Sequence, residues 1–156
     1  MLEVPIPGFN TLNLMHLVLD YNGTLAYDGQ LLSGVKACLD VLSRSLQIHI
    51  LTADTFGKAK AELKGVDCKL FILPIENQDI GKLNYVNQLG AGITVCIGNG
   101  RNDRLMLKKA ALGIAVVQGE GAASEAIMGA DIIAPNIIAA LELLNNPLRL
   151  TATLRS

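Results

Sequence analysis

Residues 15–24 read Met15-His16-Leu17-Val18-Leu19-Asp20-Tyr21-Asn22-Gly23-Thr24, a short apolar run that ends in a carboxylate and a glycine turn. Neighbouring apolar residues without alternation are the pattern of a strand buried on both faces, as in a parallel sheet. Working outward, four more segments share it, at residues 47–51, 69–73, 94–97 and 113–117, with a shorter one at 131–134. Helical spacing fills the intervals at residues 35–46, 55–63, 77–89, 102–111, 122–129 and 137–144, and Gly with Asn or Asp marks most junctions. Strands alternating with helices of this length imply right-handed crossovers. The expected fold is therefore α/β: a doubly wound, mostly parallel, Rossmann-like sheet with helices on both faces.

The chain has 156 residues, a length suited to one domain spanning 1–156. Half its residues are apolar and 17% are charged, which excludes a disordered tail. A net charge of -1, with no basic cluster longer than Lys108-Lys109, leaves no electrostatic footprint for nucleic acid. No apolar run reaches membrane-spanning length and residues 1–10 lack a basic signal-peptide start, so a cytoplasmic protein is expected. Cys38, Cys68 and Cys96 are odd in number and widely spaced, which fits reduced, buried thiols. Pro5, Pro7 and Gly8 make residues 1–13 an edge strand or a short hairpin, and residues 149–156 are expected to fray.

Ligands of open α/β sheets bind beyond the carboxyl ends of the strands, so the polar residues directly after each apolar run carry the functional information. Here these are Asp20 to Thr24, then Thr52-Ala53-Asp54, then Gly98-Asn99-Gly100-Arg101-Asn102-Asp103. A carboxylate on a rigid strand tip, followed by a Gly turn whose amides can face an anion, can accept a phosphoryl group. Thr52 can donate to a phosphate oxygen, a lysine can neutralise it, and Asp103 with Asp20 can hold a divalent cation. Mg²⁺ is the natural ion for an all-oxygen site beside phosphate.

Taken in order, Asp20-x-Asn22-Gly23-Thr24, Thr52, Lys82 and Gly98-Asn99-Gly100-x-Asn102-Asp103 resemble the four motifs of the haloacid-dehalogenase (HAD) superfamily. They are most similar to the phosphorylation domain of P-type ATPases, a likeness extended by Gly113-Ile114-Ala115 and running from about residue 14 to 144. The resemblance implies that Asp20 forms an aspartyl-phosphate, held by Gly23, Thr24, Thr52, Ala53, Lys82 and Asn102. It also implies Mg²⁺ on the Asp20 carboxylate, the Asn22 carbonyl and the side chains of Asn99 and Asp103.

Two positions depart from the pattern. Asn22 stands where phosphatases of the superfamily carry an acid–base Asp, a group typically worth ~10² to 10⁴ in rate. Asn99 replaces a metal-binding Asp, which removes one negative charge. The implied function is an Mg²⁺-dependent phosphohydrolase with slow turnover or a long-lived phosphoenzyme. Alternatives are a phosphate-binding regulatory domain and a capless sugar-phosphate phosphatase completed by oligomerisation. Expected partners are a small phosphorylated substrate or a phosphoprotein, and possible further copies of the chain. The intervals between motifs hold a short flap near residues 27–34 but no cap domain, so an open site is expected.

Bland readings compete at single positions. Asn22-Gly23 alone is a good hairpin turn, Lys82 alone a solvated helix residue, and Asn102-Asp103 or Asp54 a helix N-cap. His16 and His49 read as packed core histidines, and Gly119 to Gly121 as a loop without the dinucleotide fingerprint.

Overall fold

Along β3 (His16–Asp20), Leu17 and Leu19 pack into one buried cluster and Val18 into another, so both faces of this strand are covered. The same holds along β6 (Gln47–Thr52), where Ile48 and Ile50 join the first cluster and Leu51 the second. Each such side chain contributes about 1.5–3 kcal/mol by leaving water, which is why these strands tolerate almost no polar residue.

The computed structural model describes residues 1–54 and 57–156. A hairpin of β1 (Leu2–Ile6) and β2 (Asn10–Leu14) precedes β3, and a smaller hairpin of β4 (Ala26–Tyr27) and β5 (Gln30–Leu31) follows it. Then come α1 (Val35–Ser43), β6, α2 (Lys58–Glu62), β7 (Lys69–Ile72), α3 (Gln78–Leu89) and β8 (Thr94–Gly98). A 3-10 turn at Arg101–Asp103 leads into α4 (Arg104–Lys109), followed by β9 (Leu112–Val116), α5 (Ser124–Gly129) and β10 (Ile132–Ala134). The chain ends with α6 (Ile137–Asn145) and α7 (Pro147–Leu154). The expected start of the second helix, Thr55 and Phe56, lies outside the described residues.

Among the described residues six strands form one parallel sheet in the order β10-β9-β8-β3-β6-β7. From β3 the chain winds outward through β6 and β7, then crosses to the other side and continues through β8, β9 and β10. The order reverses between β3 and β8, and the crevice at such a point is where doubly wound sheets place ligands. Helices α1 and α6 cover one face beside the large cluster, while α3, α4 and α5 contribute to the other. Only the small hairpin and α1 separate β3 from β6, so no separate cap domain is present among the described residues.

Residues 149–156 do not fray as expected. Leu150 is fully buried, Thr151 Oγ1 donates to the Pro5 carbonyl at 3.3 Å, and the Ser156 amide donates to that of Pro7 at 3.1 Å. A proline at the start of α7 and this docking onto the first hairpin supply the tie that a terminus needs. His49 is buried, as the apolar strand implies, and its polar atoms are satisfied. Its Nε2 lies 3.1 Å from His16 Nδ1 and its Nδ1 lies 2.8 Å from the Tyr85 hydroxyl. Burial, with the nearby charges of His16 and Lys69, pushes its pKa down to about 4, so the ring is neutral near pH 7.

Candidate active site

The tips of β3, β6 and β8 meet around a cavity of about 310 Å³. Its walls include Asp20, Asn22, Thr52, Lys82, Asn99 and Asn102, drawn from four separate stretches of the chain. Ala53 and Gly100 also line it. A second cavity of about 360 Å³ adjoins it, sharing Gln78 and Asn102 and continuing past Asn77, Arg101 and Arg104. Both volumes fall within the ~300–1,000 Å³ usual for small-molecule sites.

Lys82 sets the electrostatics. It lies on α3, yet it is buried rather than solvated, with Nζ donating to Asp20 Oδ1 and to Asp103 Oδ1 at 2.7 Å each. One ammonium between two carboxylates leaves the trio with a net charge of about -1 in a low-dielectric setting. Burial first, then the Asp103 charge, pushes the Asp20 carboxyl up to about 6, against the opposing pull of Lys82 and Thr24. Burial works to neutralise Lys82, but the two carboxylates override it and hold its pKa above the ordinary lysine value.

The turn after Asp20 closes on itself. The amides of Thr24, Leu25 and Ala26 all donate to the Tyr21 carbonyl, and that of Gly23 donates to Ala26 at 2.8 Å. The Gly23 and Thr24 amides are thus consumed inside the turn and do not face an anion, contrary to the expectation that they bind phosphate. Gly23 is required for another reason: its φ is +81°, and a Cβ there would collide with the Asn99 carboxamide. Thr24 is fully buried beneath the cavity, where its hydroxyl lies 3.1 Å from Asp20 Oδ2 and 3.2 Å from Asn99 Oδ1. Asn22 is exposed at the cavity mouth.

Asp103 is placed differently from a metal ligand at a cavity wall. It is fully buried, its Oδ1 accepts from Lys82, and its Oδ2 accepts from the amides of Asn99 and Gly100 at 3.0 and 2.8 Å. A side chain at Gly98 would occupy the space of this carboxylate, so the glycine at the tip of β8 is part of the same device. Asp54 is not the N-cap of α2, a position that Gly57 occupies, but its Oδ2 accepts from the Ala59 amide in the first turn of that helix at 2.7 Å.

The donor chemistry suits a hard cation. Asp20, Asn22 and Asn99 all line the cavity and carry oxygen donors, and the trio's net negative charge favours a cation. Among the described residues no group of three or more His, Cys, Asp or Glu side chains is arranged to hold a metal.

Two residues escaped the sequence reading. Gln78, at the start of α3, accepts from Asn102 Nδ2 at 2.8 Å, and Asn102 Oδ1 in turn lies 3.5 Å from Lys82 Nζ. Gln118, in the loop after β9, donates to the carbonyls of Gly23 and Thr24 at 3.0 and 2.7 Å. The 119–121 stretch is the expected loop, and it is tied to its neighbours: the Tyr27 hydroxyl contacts the Gly119 amide, and Asn99 Nδ2 donates to the Gly121 carbonyl.

No protein-family profile matches the chain. The uncharacterized protein MJ0073 of Methanocaldococcus jannaschii is 52% identical over 61 residues, 39% of this chain and 66% of that protein, so the match spans just under two thirds of its length. The uncharacterized protein MJ0072 of the same organism is 49% identical over 41 residues, 26% of this chain and 93% of that protein. Among solved structures, the cobalt-bound deoxy-D-mannose-octulosonate 8-phosphate phosphatase of Haemophilus influenzae has a TM-score of 0.72 at 13% identity, covering 92% of this chain and 94% of that one. The corresponding Moraxella catarrhalis phosphatase, in complex with magnesium, phosphate and its sugar acid, has a TM-score of 0.71 at 16% identity, covering 90% and 93%. A Streptomyces avermitilis chain assigned to the HAD-family hydrolases has a TM-score of 0.68 at 16% identity, covering 90% and 86%. At such identities the likeness is one of fold.

Proposed function

The chain belongs to one family with the MJ0072 protein of Methanocaldococcus jannaschii and has the HAD fold, and from that premise we propose that it is a phosphohydrolase whose nucleophile is Asp20. One observation carries the reading: a buried carboxylate at the central strand tip, paired with a buried lysine at 2.7 Å, opens onto a cavity that Thr52 also lines. Attack by the Asp20 carboxylate on a phosphoryl phosphorus forms the aspartyl-phosphate as the leaving-group oxygen departs with the bonding pair. Lys82 stabilises the developing charge on the phosphoryl oxygens, and the Thr52 hydroxyl donates to one of them. A water molecule then attacks the phosphorus and releases Asp20.

Mg²⁺ would be held by Asp20, the Asn99 amide oxygen and the Asn22 carbonyl, supplying neutralisation of phosphoryl charge. Asp103 acts in this scheme through Lys82, which it anchors. The Asn22 carboxamide is neither acidic enough to protonate a leaving group nor basic enough to activate water near neutral pH, so with a donor whose leaving group departs unprotonated, capture outruns release. In this respect the chain behaves like the phosphorylation domain of a P-type ATPase. Activated donors such as acyl phosphates suit a site without a general acid, and a cavity of about 310 Å³ is of a size for small phosphorylated molecules.

The test is steady-state hydrolysis of acetyl phosphate and an aryl phosphate by wild type, Asp20→Ala and Asn22→Asp. Asp20→Ala should abolish turnover, and Asn22→Asp should raise it by roughly 10-fold or more, since the restored group is typically worth ~10² to 10⁴. Equal turnover by wild type and Asp20→Ala would refute the nucleophile. A wild type that takes up phosphoryl but never releases it would favour a regulatory phosphate-binding domain.

A further inference from the structure

We propose that Gln118 is a positioning residue of the phosphoryl-transfer site, holding the nucleophile turn so that the Thr24 hydroxyl stays between Asp20 and Asn99. The inference rests on the reading of Asp20 as the phosphoryl acceptor and adds a residue far from it in sequence.

The carboxamide of Gln118 has three partners, and their chemistry leaves one orientation. Nε2 faces the carbonyls of Gly23 at 3.0 Å and Thr24 at 2.7 Å, which only accept. Oε1 faces the amide of Ile137 at 2.9 Å, which only donates. A flipped amide would set an oxygen against two carbonyls and an NH₂ against an N–H. The side chain therefore spans the gap between the turn after β3 and the first residue of α6, with each polar atom satisfied.

The turn it grips has few other restraints on that side. Inside the turn every bond converges on Tyr21 or Ala26, and the carbonyls of Gly23 and Thr24 point outward to Gln118. Thr24 then passes the restraint to the site through its hydroxyl, 3.1 Å from Asp20 Oδ2 and 3.2 Å from Asn99 Oδ1. Asn99 is tied to the same loop from the other side, since its Nδ2 donates to Gly121 at 3.0 Å and its carbonyl accepts from Ala123 at 2.9 Å. Residues 118–123 thus hold Thr24, through Gln118, and Asn99, through Gly121 and Ala123. Freeing the turn would let Asp20 leave its attack geometry, where a displacement of about 1 Å can cost ~10²-fold in rate.

The experiment measures the single-turnover rate of Asp20 phosphorylation by acetyl phosphate with Mg²⁺, and the half-saturating acetyl phosphate concentration. Wild type is compared with Gln118→Met, Gln118→Glu, Thr24→Val and the Gln118→Met/Thr24→Val double variant. Gln118→Met keeps the length but neither donates nor accepts in kind. Gln118→Glu keeps the acceptor for Ile137 and loses the donors to the turn. Both should slow phosphorylation by roughly 10-fold or more with half-saturation changed less than about 3-fold, the split expected for lost positioning. The double variant should be no slower than about twofold below Thr24→Val, because residues acting through one another are not additive. Losses that multiply in the double variant, or a rate within about twofold of wild type in either Gln118 variant, would overturn the proposal.

A second measurement needs neither a folded variant nor phosphoryl transfer. In wild type the two Nε2 protons of Gln118 should exchange with deuterated water far more slowly than a free carboxamide and show cross-peaks to the Gly23–Thr24 turn. Exchange at the free rate would overturn the proposal. Slow exchange in a wild type that takes up no phosphoryl group would keep the clamp and refute only the phosphohydrolase reading.

Discussion

Replacing Lys82 by methionine should destabilise the protein in a way that depends on pH. The Nζ of Lys82 bonds Asp20 and Asp103 at 2.7 Å each, and the lysine and Asp103 side chains are 1% and 0% exposed. Methionine fills much of the same space, so the packing loss is small. What remains is a pair of buried carboxylates without their cation. Breaking a buried ion pair from one side costs about 3–5 kcal/mol, a large part of the ~5–15 kcal/mol that holds a domain folded. The sign with pH follows from the Asp20 carboxyl, already pushed up to about 6 and higher still without Lys82. A carboxyl whose pKa is raised by folding destabilises the protein above that pKa, and the cost is relieved as the pH falls through it. Between the variant's value and the wild type's, the two proteins converge by ~1.4 kcal/mol per pH unit. Urea unfolding followed by circular dichroism, with chelator present, should show a larger loss at pH 8 than at pH 5. Adding Asp103→Asn should recover at least ~1.5 kcal/mol of that loss at pH 8, since one stranded charge is gone. A cost below about 1 kcal/mol, equal at both pH values and additive with Asp103→Asn, would refute the buried-trio account.

Other outcomes follow from single residues. His49, held neutral with its pKa near 4, stabilises the fold above the unfolded-state value of about 6.5, and that stability is lost as pH falls from 6.5 toward 4. The loss reaches at most about 3 kcal/mol. A nuclear magnetic resonance titration of the ring should show no midpoint above pH 5, and one near 6.5 would contradict the buried hydrogen-bonded placement. Gly23→Ala sets a side chain at φ +81° against Asn99 and should cost at least about 1 kcal/mol in urea unfolding while slowing phosphoryl uptake. A neutral effect on both would mean that the turn is more yielding than its contacts imply.

The central strands were legible because their runs are apolar without alternation, as in Leu17 to Leu19, Val95 to Ile97 and, His49 apart, Ile48 to Leu51; the run at 69–73 read as equally buried, yet as the edge strand β7 it leaves Phe71 and Ile72 exposed. Asp20, Thr52 and Asn99 were legible for a related reason, as polar residues placed directly after those runs. Lys82 was readable through its order among the motifs, and its burial was not, because helical spacing alone does not distinguish a solvated lysine from one aimed at two carboxylates. Asp103 read as a metal ligand from its type, whereas the loop amides and Lys82 that occupy its oxygens come from folding. Gln118 lies 95 and 94 residues from its partners Gly23 and Thr24, and no local pattern marks such a contact. The docking of α7 depends on an equally remote hairpin, 146 residues from Thr151 to Pro5. Residues whose roles follow from strand position are readable; residues whose roles follow from partners across the chain are not.

The central claim is that Asp20 takes up a phosphoryl group. The most direct measurement is mass spectrometry of the intact protein and its peptides after brief incubation with acetyl phosphate and Mg²⁺ followed by an acid quench. The account predicts the added mass of one phosphoryl group, mapping to Asp20, lost on treatment with hydroxylamine and absent from Asp20→Asn. An unmodified wild type under conditions where Mg²⁺ and donor are saturating, or an adduct on another residue that persists in Asp20→Asn, would contradict it.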